Sequence, residues 1–275
     1  MGSSLVLPGR EHEHESAQWH RYQALTSVRW DTQVKPFVVI ARSPTGERGQ
    51  WVMKPRSKLG AVGSAIELIS ARLCQVLGIP TPEPAIIDVQ ERDVQGSPDV
   101  RQRLGSEVGA NFAGRYLPGH SDVPTPDALP RRTFQAAARI LGFDVACDNR
   151  DRRAGKRNSN LLMGDDGLVA IDHQTAFSWY RDALDRRPLW SVKIFAAVVA
   201  DHFLTARLHE CGERLDLFGA SLGNLSAELD DLTCGMPSMW TRDGAEECVN
   251  EVRTFLADVG QQANEIVARV QGVLS

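Results

Sequence analysis

The sequence predicts an α+β protein with two lobes, in which an N-terminal antiparallel sheet with one helix precedes a mostly helical C-terminal lobe. Short runs rich in Val and Ile, separated by turn residues, dominate the chain before residue 118. Apolar residues at helical spacing dominate after it. With 275 residues, of which 42% are hydrophobic, the chain can build a sizeable core in one large or two small domains. We predict a flexible N-terminal segment at 1–20, an N-lobe at 21–117 and a C-lobe at 118–275.

The bulk composition argues against several classes of protein. A net charge of −4 does not suggest a nucleic-acid-binding protein. No apolar run approaches the ~20 residues that span a bilayer, and the N-terminus lacks the apolar core of a signal peptide. The five cysteines include no C-x-x-C pair, which argues against a disulfide framework or a cysteine zinc site. We therefore expect a cytoplasmic protein without a membrane span.

Three short strands are predicted near the start of the N-lobe, at residues 24–28, 36–42 and 50–54. A Pro-Thr-Gly turn separates the last two, so the strands form an antiparallel meander. Lys54 lies at the end of the third strand. A lone lysine at a strand end is most often a solvated edge residue, so the strand pattern alone gives Lys54 no role.

A helix is predicted to begin after Ser64, a good N-cap residue, and to end at Gly78. Residues 56–63 contain two glycines and are interpreted as a flexible connector before this helix. Glu67 then has two interpretations. It either completes a capping box by accepting from backbone N–H groups, or it forms an ion pair with Lys54.

The remainder of the N-lobe is predicted from alternating apolar and polar stretches. A fourth strand is expected at 85–88, and the polar stretch 89–107 is interpreted as a long surface hairpin or loop. The apolar run 111–117 ends at Pro118 and Gly119. From its residues alone, this run is either an ordinary strand followed by a turn or the connection between the lobes.

Four apolar helices are predicted in the C-lobe, at residues 132–146, 190–208, 220–232 and 244–273. Their apolar stripes are interpreted as core rather than as cofactor contacts. His202, in the second of these helices, is interpreted as a core or surface histidine because no set of three metal ligands forms around it.

The polar stretch 147–177 follows the first of these helices and contains the candidate chemistry. Asn160 precedes one apolar run, a D-D-G turn follows, and Asp172 ends a second run, which predicts a β-hairpin flanked by both side chains. Asp151, in the loop before the hairpin, would converge with them. Phosphoryl transfer needs such a set, because one carboxylate orients the attacking hydroxyl and hard oxygen ligands hold Mg²⁺ on the phosphates. The alternative is a solvated loop whose Asp and Asn side chains only cap turns.

Three motifs in this stretch resemble the HipA-like kinase family, a branch of the protein-kinase-like superfamily with a distant likeness to phosphatidylinositol kinases. They are N-R-D-R at 149–152, N-S-N-L-L at 158–162 and I-D-H at 171–173. The N-lobe also resembles this family, because Lys54 is followed by the helical Glu67 and then by L-G-I-P-T-P-E at 77–83. The resemblance covers roughly residues 24–180, and it implies a bilobal protein-kinase-like fold that uses ATP and Mg²⁺.

The resemblance also implies which residues bind the nucleotide. Lys54, held in place by Glu67, would contact the α- and β-phosphates of ATP. The run at Arg115, Tyr116 and Leu117 would connect the lobes and turn its backbone toward the adenine ring.

Further roles are implied for the polar stretch. Asp151 would accept or orient the hydroxyl proton of the acceptor, and Asp172 would hold Mg²⁺ together with Asn160 or Asn158. Arg152 would meet the charge that develops on the transferred group, or it forms a structural pair with a carboxylate.

Three positions depart from the pattern of protein kinases. Asn158 and Asn160 lie seven and nine residues after Asp151, whereas protein kinases place the metal-binding Asn five residues after the catalytic Asp. We prefer Asn160 because it adjoins the apolar strand. No G-x-G-x-x-G motif is present, and residues 29–35 are our candidate for a loop that covers the phosphates. His173 stands where protein kinases carry Phe, and it would contact the metal-bound phosphates, orient the preceding aspartate or simply pack.

The sequence does not identify the acceptor. The resemblance implies transfer of the γ-phosphoryl group to a hydroxyl, with a protein serine or threonine preferred because of the HipA-like relatives. A lipid or small-molecule acceptor is one alternative. A regulatory pseudokinase that binds the nucleotide without turnover is another. The lengthened loop and the missing glycine motif support it, whereas the presence of Lys54, Glu67, Asp151, Asn160 and Asp172 argues against it.

Overall fold

The computed structural model describes residues 18–26, 36–43, 45–95, 98–155, 159–181, 189–209, 211–212 and 214–275. Three sequence predictions lie wholly or mostly outside the described residues, namely the flexible segment at 1–20, the phosphate-covering loop at 29–35 and the alternative metal ligand Asn158. Within the described part, a sheet with one long helix precedes a mostly helical part, which confirms the predicted α+β class.

Five strands form a closed sheet in the N-lobe. They are β1 (Gln18–Thr26), β2 (Phe37–Arg42), β3 (Arg48–Met53), β4 (Pro84–Val89) and β5 (Gly109–Arg115). The order is β1-β2-β3-β5-β4, and neighbours are antiparallel except for β4 and β1. These two pair in parallel between residues 86–88 and 18–20, which closes the barrel. β1 therefore begins at Gln18, inside the segment expected to be flexible, because its first residues pair with β4.

The barrel has a small apolar interior of its own. Alternate residues on two neighbouring strands, Val39 and Ala41 on β2 and Trp51 and Met53 on β3, are completely buried. This alternation is what a strand with one buried face produces. The interior of the barrel is separate from the larger core, in which the helices pack together.

The long N-lobe helix α1 (Arg56–Val76) begins eight residues before the predicted N-cap. The expected connector 56–63 is helical, interrupted where Gly60 adopts a φ of 74°. Side chains from elsewhere cap the first turn, because Asn111 Oδ1 accepts from Arg56 N at 3.0 Å and Glu107 Oε2 accepts from Ser57 N at 3.0 Å. The capping box, the first of the two interpretations of Glu67, is therefore excluded, since the N-cap it requires lies inside the helix.

The polar stretch 89–107 is also more ordered than predicted. It contains the short helices α2 (Glu91–Val94) and α3 (Pro98–Leu104), followed by a 3₁₀ turn at Gly105–Glu107. Val94 and Leu104 are buried against the barrel interior. These two apolar anchors explain why the stretch folds into helices rather than into a hairpin or an open loop.

The C-lobe combines a small sheet with many short helices. Its elements are β6 (Ser121–Asp122), 3₁₀ turns at Pro126–Ala128 and Arg131–Thr133, α4 (Phe134–Ala146), β7 (Leu161–Gly164), β8 (Gly167–Ala170), α5 (Ser178–Arg181), α6 (Val192–Val199), α7 (Thr205–Leu208), α8 (Asp216–Gly223), α9 (Leu225–Thr233), α10 (Ser238–Trp240), a π turn at Thr241–Ala245, α11 (Glu246–Gln261) and α12 (Ala263–Leu274). The predicted hairpin is confirmed as β7 and β8, and β6 adds a third strand beside β7.

Three of the four predicted C-lobe helices are divided into shorter ones. The run 190–208 splits into α6 and α7 because residues 201–203 pair with the loop after α4. There Ala154 N donates to Asp201 O at 2.7 Å, and Phe203 N donates to Arg152 O at 2.7 Å. The helical period locates apolar stripes correctly, but it cannot locate a break that a distant segment causes.

The apolar character of α1 reflects its place in the core. Among the described residues, α1 is the one helix with the length and composition of a membrane span, but 67% of its most apolar window is buried inside the protein. Its buried residues, including Ile66, Ile69 and Leu73, pack in the larger core with the C-lobe helices. A helix in a protein core can have the same length and apolar composition as a helix that spans a membrane.

We predict that Asn111→Ala lowers the free energy of unfolding by about 2–3 kcal/mol, because buried backbone groups lose their partners. Asn111 is 0% exposed, and its Nδ2 also donates to Glu107 O at 2.7 Å and Gly109 O at 2.9 Å. Denaturant unfolding measures the effect. The exposed Asn250→Ala is the control and should change stability by less than about 0.5 kcal/mol. Equal effects of the two substitutions would contradict the capping role.

Candidate active site

A cleft of about 190 Å³ lies between the barrel and the C-lobe. Its walls are mostly apolar, from Val52 and Phe112 on the barrel side to Leu162 and Ile171 on the hairpin side. Three of its polar side chains form one cluster, in which Lys54 contacts Glu67 and Asp172. The sequence-predicted residues that line the cleft are Lys54, Glu67, Arg115, Tyr116, Leu117, Asp172 and His173. A cleft with apolar walls and a few converging polar groups is the usual form of a small-molecule site.

Lys54 joins two carboxylates that lie far apart along the chain. Its Nζ donates to Glu67 Oε1 on α1 and to Asp172 Oδ1 after β8, the latter at 2.9 Å. The second oxygen of Glu67 accepts from the backbone N of His173 at 3.2 Å. The structure therefore has the ion pair of Glu67 and Lys54, the second of the two interpretations of Glu67.

Burial and neighbouring charges shift the pKa values of these three groups. Burial raises the pKa of Glu67 to about 7, against the opposing pull of the Lys54 ammonium. Burial also disfavours the charged form of Asp172, but the charge of the Lys54 ammonium and the hydrogen bonds from Lys54 and Glu67 together hold the pKa of Asp172 below its usual value. Burial likewise disfavours the ammonium of Lys54, yet the two carboxylates hold its pKa above the usual value. Near neutral pH, Lys54 is therefore a cation and Asp172 an anion.

Asp151 and Asn160 meet directly, as predicted for residues on either side of the loop. Asn160 Nδ2 donates to Asp151 Oδ2 at 2.9 Å. The backbone O of Asn160 accepts from Ile171 N at 3.1 Å, which brings Asn160 beside the end of β8 that carries Asp172. Asp151 and Asn160 are therefore close to the end of β8 that carries Asp172, although Asp172 alone of the three lines the cleft.

Two of these side chains project from a left-handed backbone. Asn160 has a φ of 54° and Asp172 a φ of 57°, and the other non-glycine residues with positive φ in the described part of the chain are Asp148 and Phe177. All four lie between residues 148 and 177. Asn and Asp tolerate this conformation better than other residues do, and such backbone outliers cluster at functional sites.

The donor set fits a magnesium ion that is bound together with phosphates. Mg²⁺ prefers oxygen ligands, and it is usually held by one or two protein carboxylates plus the phosphates of a substrate. Asp172 and Asn160 offer a carboxylate and an amide oxygen. Among the described residues, no group of three or more His, Cys, Asp or Glu side chains could hold a metal.

Arg152 does not face the cleft with these residues. Its guanidinium is completely buried, where Nη1 bonds Asp144 Oδ1 and Nη2 donates to Ile171 O at 3.1 Å. This position differs from the expectation that Arg152 meets the transferred group, and it favours the structural pair with a carboxylate. The pair connects α4 to the loop and to the end of β8, so Arg152 stabilises the site without lining the cleft.

Sequence analysis missed Thr81 and His120, which line the cleft. Asp144, which does not line the cleft, was missed as well. It is completely buried in α4, where Asn149 Nδ2 donates to Oδ1 at 2.7 Å and His202 Nε2 lies 2.9 Å from Oδ2. His202 Nδ1 accepts from Leu204 N at 3.2 Å, so the ring carries its proton on Nε2 and donates it to Asp144. The signal in the sequence was the one charged residue within the apolar run I-L-G-F-D-V-A.

His173 is packed, which is one of the three interpretations left open. The ring is T-shaped against Phe143 at 5.3 Å, and Arg152 Nη2, which can only donate, lies 3.3 Å from Nδ1. The proton is therefore on Nε2, which faces Thr81 Oγ1 at 3.4 Å and Cys74 Sγ at 3.9 Å. Burial, with the neighbouring cations, holds the pKa of His173 well below its usual value. The ring is neutral, and the backbone N of His173 is the atom that reaches Glu67.

The run at the end of β5 lines the cleft, but two of its backbone amides are used by the sheet. Arg115 N donates to Glu83 O and Tyr116 N to Gln50 O, both at 2.9 Å. The Arg115 guanidinium lies 5.0 Å from the centre of the Trp51 ring. These two N–H groups are therefore not available to a nucleobase, which would contact other atoms of residues 115–117 if it bound in the cleft.

Comparison with known proteins gives one match to a family. The sequence model of the family described as HipA-like kinase matches residues 35–269. A search among curated proteins found no significant match.

Several solved structures superpose on the chain at low identity. The proinflammatory kinase CtkA of Helicobacter pylori is 9% identical, with a TM-score of 0.45 over 89% of this chain and 96% of CtkA. HipA of Shewanella oneidensis MR-1, solved with HipB and operator DNA, is 11% identical, with a TM-score of 0.42 over 90% of this chain and 65% of HipA. The amicoumacin kinase hAmiN, solved with AMP-PNP and Ca²⁺, is 12% identical, with a TM-score of 0.31 over 90% of this chain and 91% of hAmiN. All three TM-scores are below 0.5, so the assignment to a family rests on the sequence match.

We predict that Asp144→Ala lowers the free energy of unfolding by about 3–5 kcal/mol, because it leaves the buried charge of Arg152 without its carboxylate. Denaturant unfolding monitored by circular dichroism measures the loss. Asp230→Ala is the control, since that carboxylate is 88% exposed beside Arg253 and exposed pairs contribute about 1 kcal/mol at most. A loss at Asp144 as small as that at Asp230 would contradict the supporting role of the buried network.

Proposed function

We propose that this chain, which belongs to the HipA-like kinase family, transfers the γ-phosphoryl group of Mg²⁺-bound ATP to the hydroxyl of a protein serine or threonine. Membership of the family makes the chain a phosphotransferase with a kinase-like fold. The proposal concerns its nucleotide, its metal, its acceptor and the roles of its residues. One observation supports it above the others, namely that Lys54 reaches both Glu67 and Asp172 across the cleft.

In this proposal, the charged end of the cleft receives the phosphates. Lys54 contacts the non-transferred phosphates, and Glu67 keeps the lysine side chain directed toward them. Asp172 and Asn160 hold the metal, which neutralises negative charge on the phosphates when it is bound. The apolar walls beside Val52 and Leu162 receive the base, with Arg115, Tyr116 and Leu117 along its edge.

Asp151 orients the attacking hydroxyl in this proposal and accepts its proton as the new O–P bond forms. The bond between the γ-phosphorus and the bridging oxygen of ATP breaks at the same time, and ADP leaves. The hydrogen bond from Asn160 fixes one carboxylate oxygen of Asp151 and therefore the plane of the group. Asn149 Oδ1 accepts from the backbone N of Asp151 at 3.3 Å, and Asn149 is in turn held by Asp144. Positioning of this kind supplies most of the catalysis in phosphoryl transfer, because the protein forms no covalent intermediate.

The choice of a protein acceptor rests on the family. Incubation of the protein with a cell extract and γ-labelled ATP, followed by identification of the labelled residues, tests it directly. Labelled serine or threonine supports the proposal, whereas a labelled lipid or small molecule would show that the acceptor is not a protein. All five cysteines are free thiols, which agrees with our proposal that the chain works in the cytoplasm.

We predict that Asp172→Asn lowers the rate of phosphoryl transfer by at least about a hundredfold, because the metal loses its charged ligand. Asn keeps the shape of the side chain, so the fold should persist in circular dichroism. The rate is measured with γ-labelled ATP and either the protein itself or a cell extract as acceptor. Asp165→Asn, in the exposed turn between β7 and β8, is the control and should keep the parental rate. Transfer by the Asp172 variant at the parental rate would show that the metal assignment is wrong.

We also predict that ATP stabilises the protein only when Mg²⁺ is present. At a nucleotide concentration a hundred times its Kd, binding adds ~2.7 kcal/mol, which corresponds to a rise in Tm of about 5 °C for a chain of this size. EDTA should abolish most of the shift, and Lys54→Met should reduce it, whereas the exposed Lys193→Met should leave it unchanged. Stabilisation without any transfer would identify a nucleotide-binding pseudokinase. No stabilisation by Mg²⁺ and ATP would contradict the proposed site.

A further inference from the structure

Glu67 lies on α1, and the opposite side of α1 is tied to the C-terminal helices. Arg72 Nη1 donates to the backbone O of Asp231 at 3.4 Å, of Leu232 at 3.2 Å and of Cys234 at 2.7 Å. These carbonyls belong to the C-terminal end of α9, where the last carbonyls lack partners within the helix and the helix dipole favours a cation. Arg72 therefore caps a helix that lies about 160 residues later in the chain.

A second set of contacts fixes the N-terminal end of α1 and the neighbouring strand. Arg56 Nη1 lies 3.3 Å from Asp243 Oδ2. On β5, Ala110 O accepts from Trp240 Nε1 at 3.0 Å, and Ala110 N approaches Met239 Sδ at 2.9 Å. Trp240 is completely buried. The segment after α9 thus holds both α1 and the strand whose side chain caps the start of α1.

Glu67 and Arg72 lie on the same helix, so a movement of α1 changes the positions of both side chains. Five residues of an α-helix turn through about 500°, so the two side chains point about 140° apart around the axis. Glu67 faces Lys54 in the cleft, and Arg72 faces α9 on the far side. A rotation or shift of α1 that released Arg72 from α9 would also withdraw Glu67 from the cleft.

We infer that Arg72 is a positioning residue for the phosphate-contacting lysine. By holding the C-terminal end of α9, it fixes the rotation of α1 at which Glu67 reaches both Lys54 and the backbone N of His173. The inference deepens the proposed function and rests on it for the role of Lys54. The position of Glu67 can, however, be measured without any phosphoryl transfer.

Arg253 provides a matched control on the same turn of α9. From α11, its Nη1 donates to Leu229 O at 3.3 Å and to Thr233 Oγ1 at 2.6 Å, and its Nη2 donates to Asp230 Oδ1 at 2.5 Å. Arg253→Met therefore removes several bonds to the end of α9, as Arg72→Met does. Only the Arg72 substitution releases α1.

The first experiment is hydrogen–deuterium exchange on the full chain without nucleotide. In Arg72→Met, amide exchange should accelerate about tenfold in peptides that cover α1 and in the peptide that contains His173. A change of this size is typical of the interaction energy between two residues in contact. In Arg253→Met, these peptides should keep the parental rates. Unchanged exchange in Arg72→Met, or equal acceleration in both variants, would overturn the inference.

The second experiment is a double-mutant cycle on phosphoryl transfer from labelled Mg²⁺-ATP. Arg72→Met should lower kcat about tenfold in the parental protein but less than about twofold when Glu67→Gln is already present, because Arg72 acts through Glu67. Arg72→Lys should recover part of the rate. Equal losses in both backgrounds would overturn the inference. If the parental protein transfers no phosphate, the proposed function fails, and the exchange experiment still decides the role of Arg72.

Discussion

A lysine ammonium held between two carboxylates is the interaction on which the site depends. The Lys54 side chain is only 13% exposed, and a charge at that depth would be costly without partners. Glu67 and Asp172 supply them, one from the long helix of the N-lobe and the other from the end of the C-lobe hairpin. The relative position of the two lobes is therefore coupled to one side chain. The barrel, the helix and the hairpin must all be in place before the ammonium is satisfied.

The part of the site that could be predicted from sequence is the part that local patterns determine. The alternation of apolar runs around a D-D-G turn locates the hairpin, and the residue that ends its second strand is Asp172. The same reasoning places Asn160 beside Asp151. The two interpretations of Arg152 could not be separated in this way, because they differ only in burial, which depends on α4 packing against the loop.

The features that were missed depend on contacts between distant parts of the chain. The start of α1 is capped by Glu107 and Asn111, which follow it by some 50 residues, so nothing near Arg56 in the sequence indicates a helix. Asp144 was missed for the same reason, because its partner His202 lies 58 residues later. The parallel pairing that closes the barrel and the break between α6 and α7 likewise come from segments that local periodicity does not connect.

The left-handed backbone at Asn160 and Asp172 restricts which replacements these positions can tolerate. For most side chains this conformation costs about 1–2 kcal/mol, and a β-branched residue is a true outlier there. A longer acid such as Glu would preserve the charge at position 172 but would add conformational strain to a misplaced carboxylate. Asp and Asn satisfy the backbone and can also offer oxygen to a cation. A replacement at either position must therefore tolerate a left-handed backbone as well as offer an oxygen ligand.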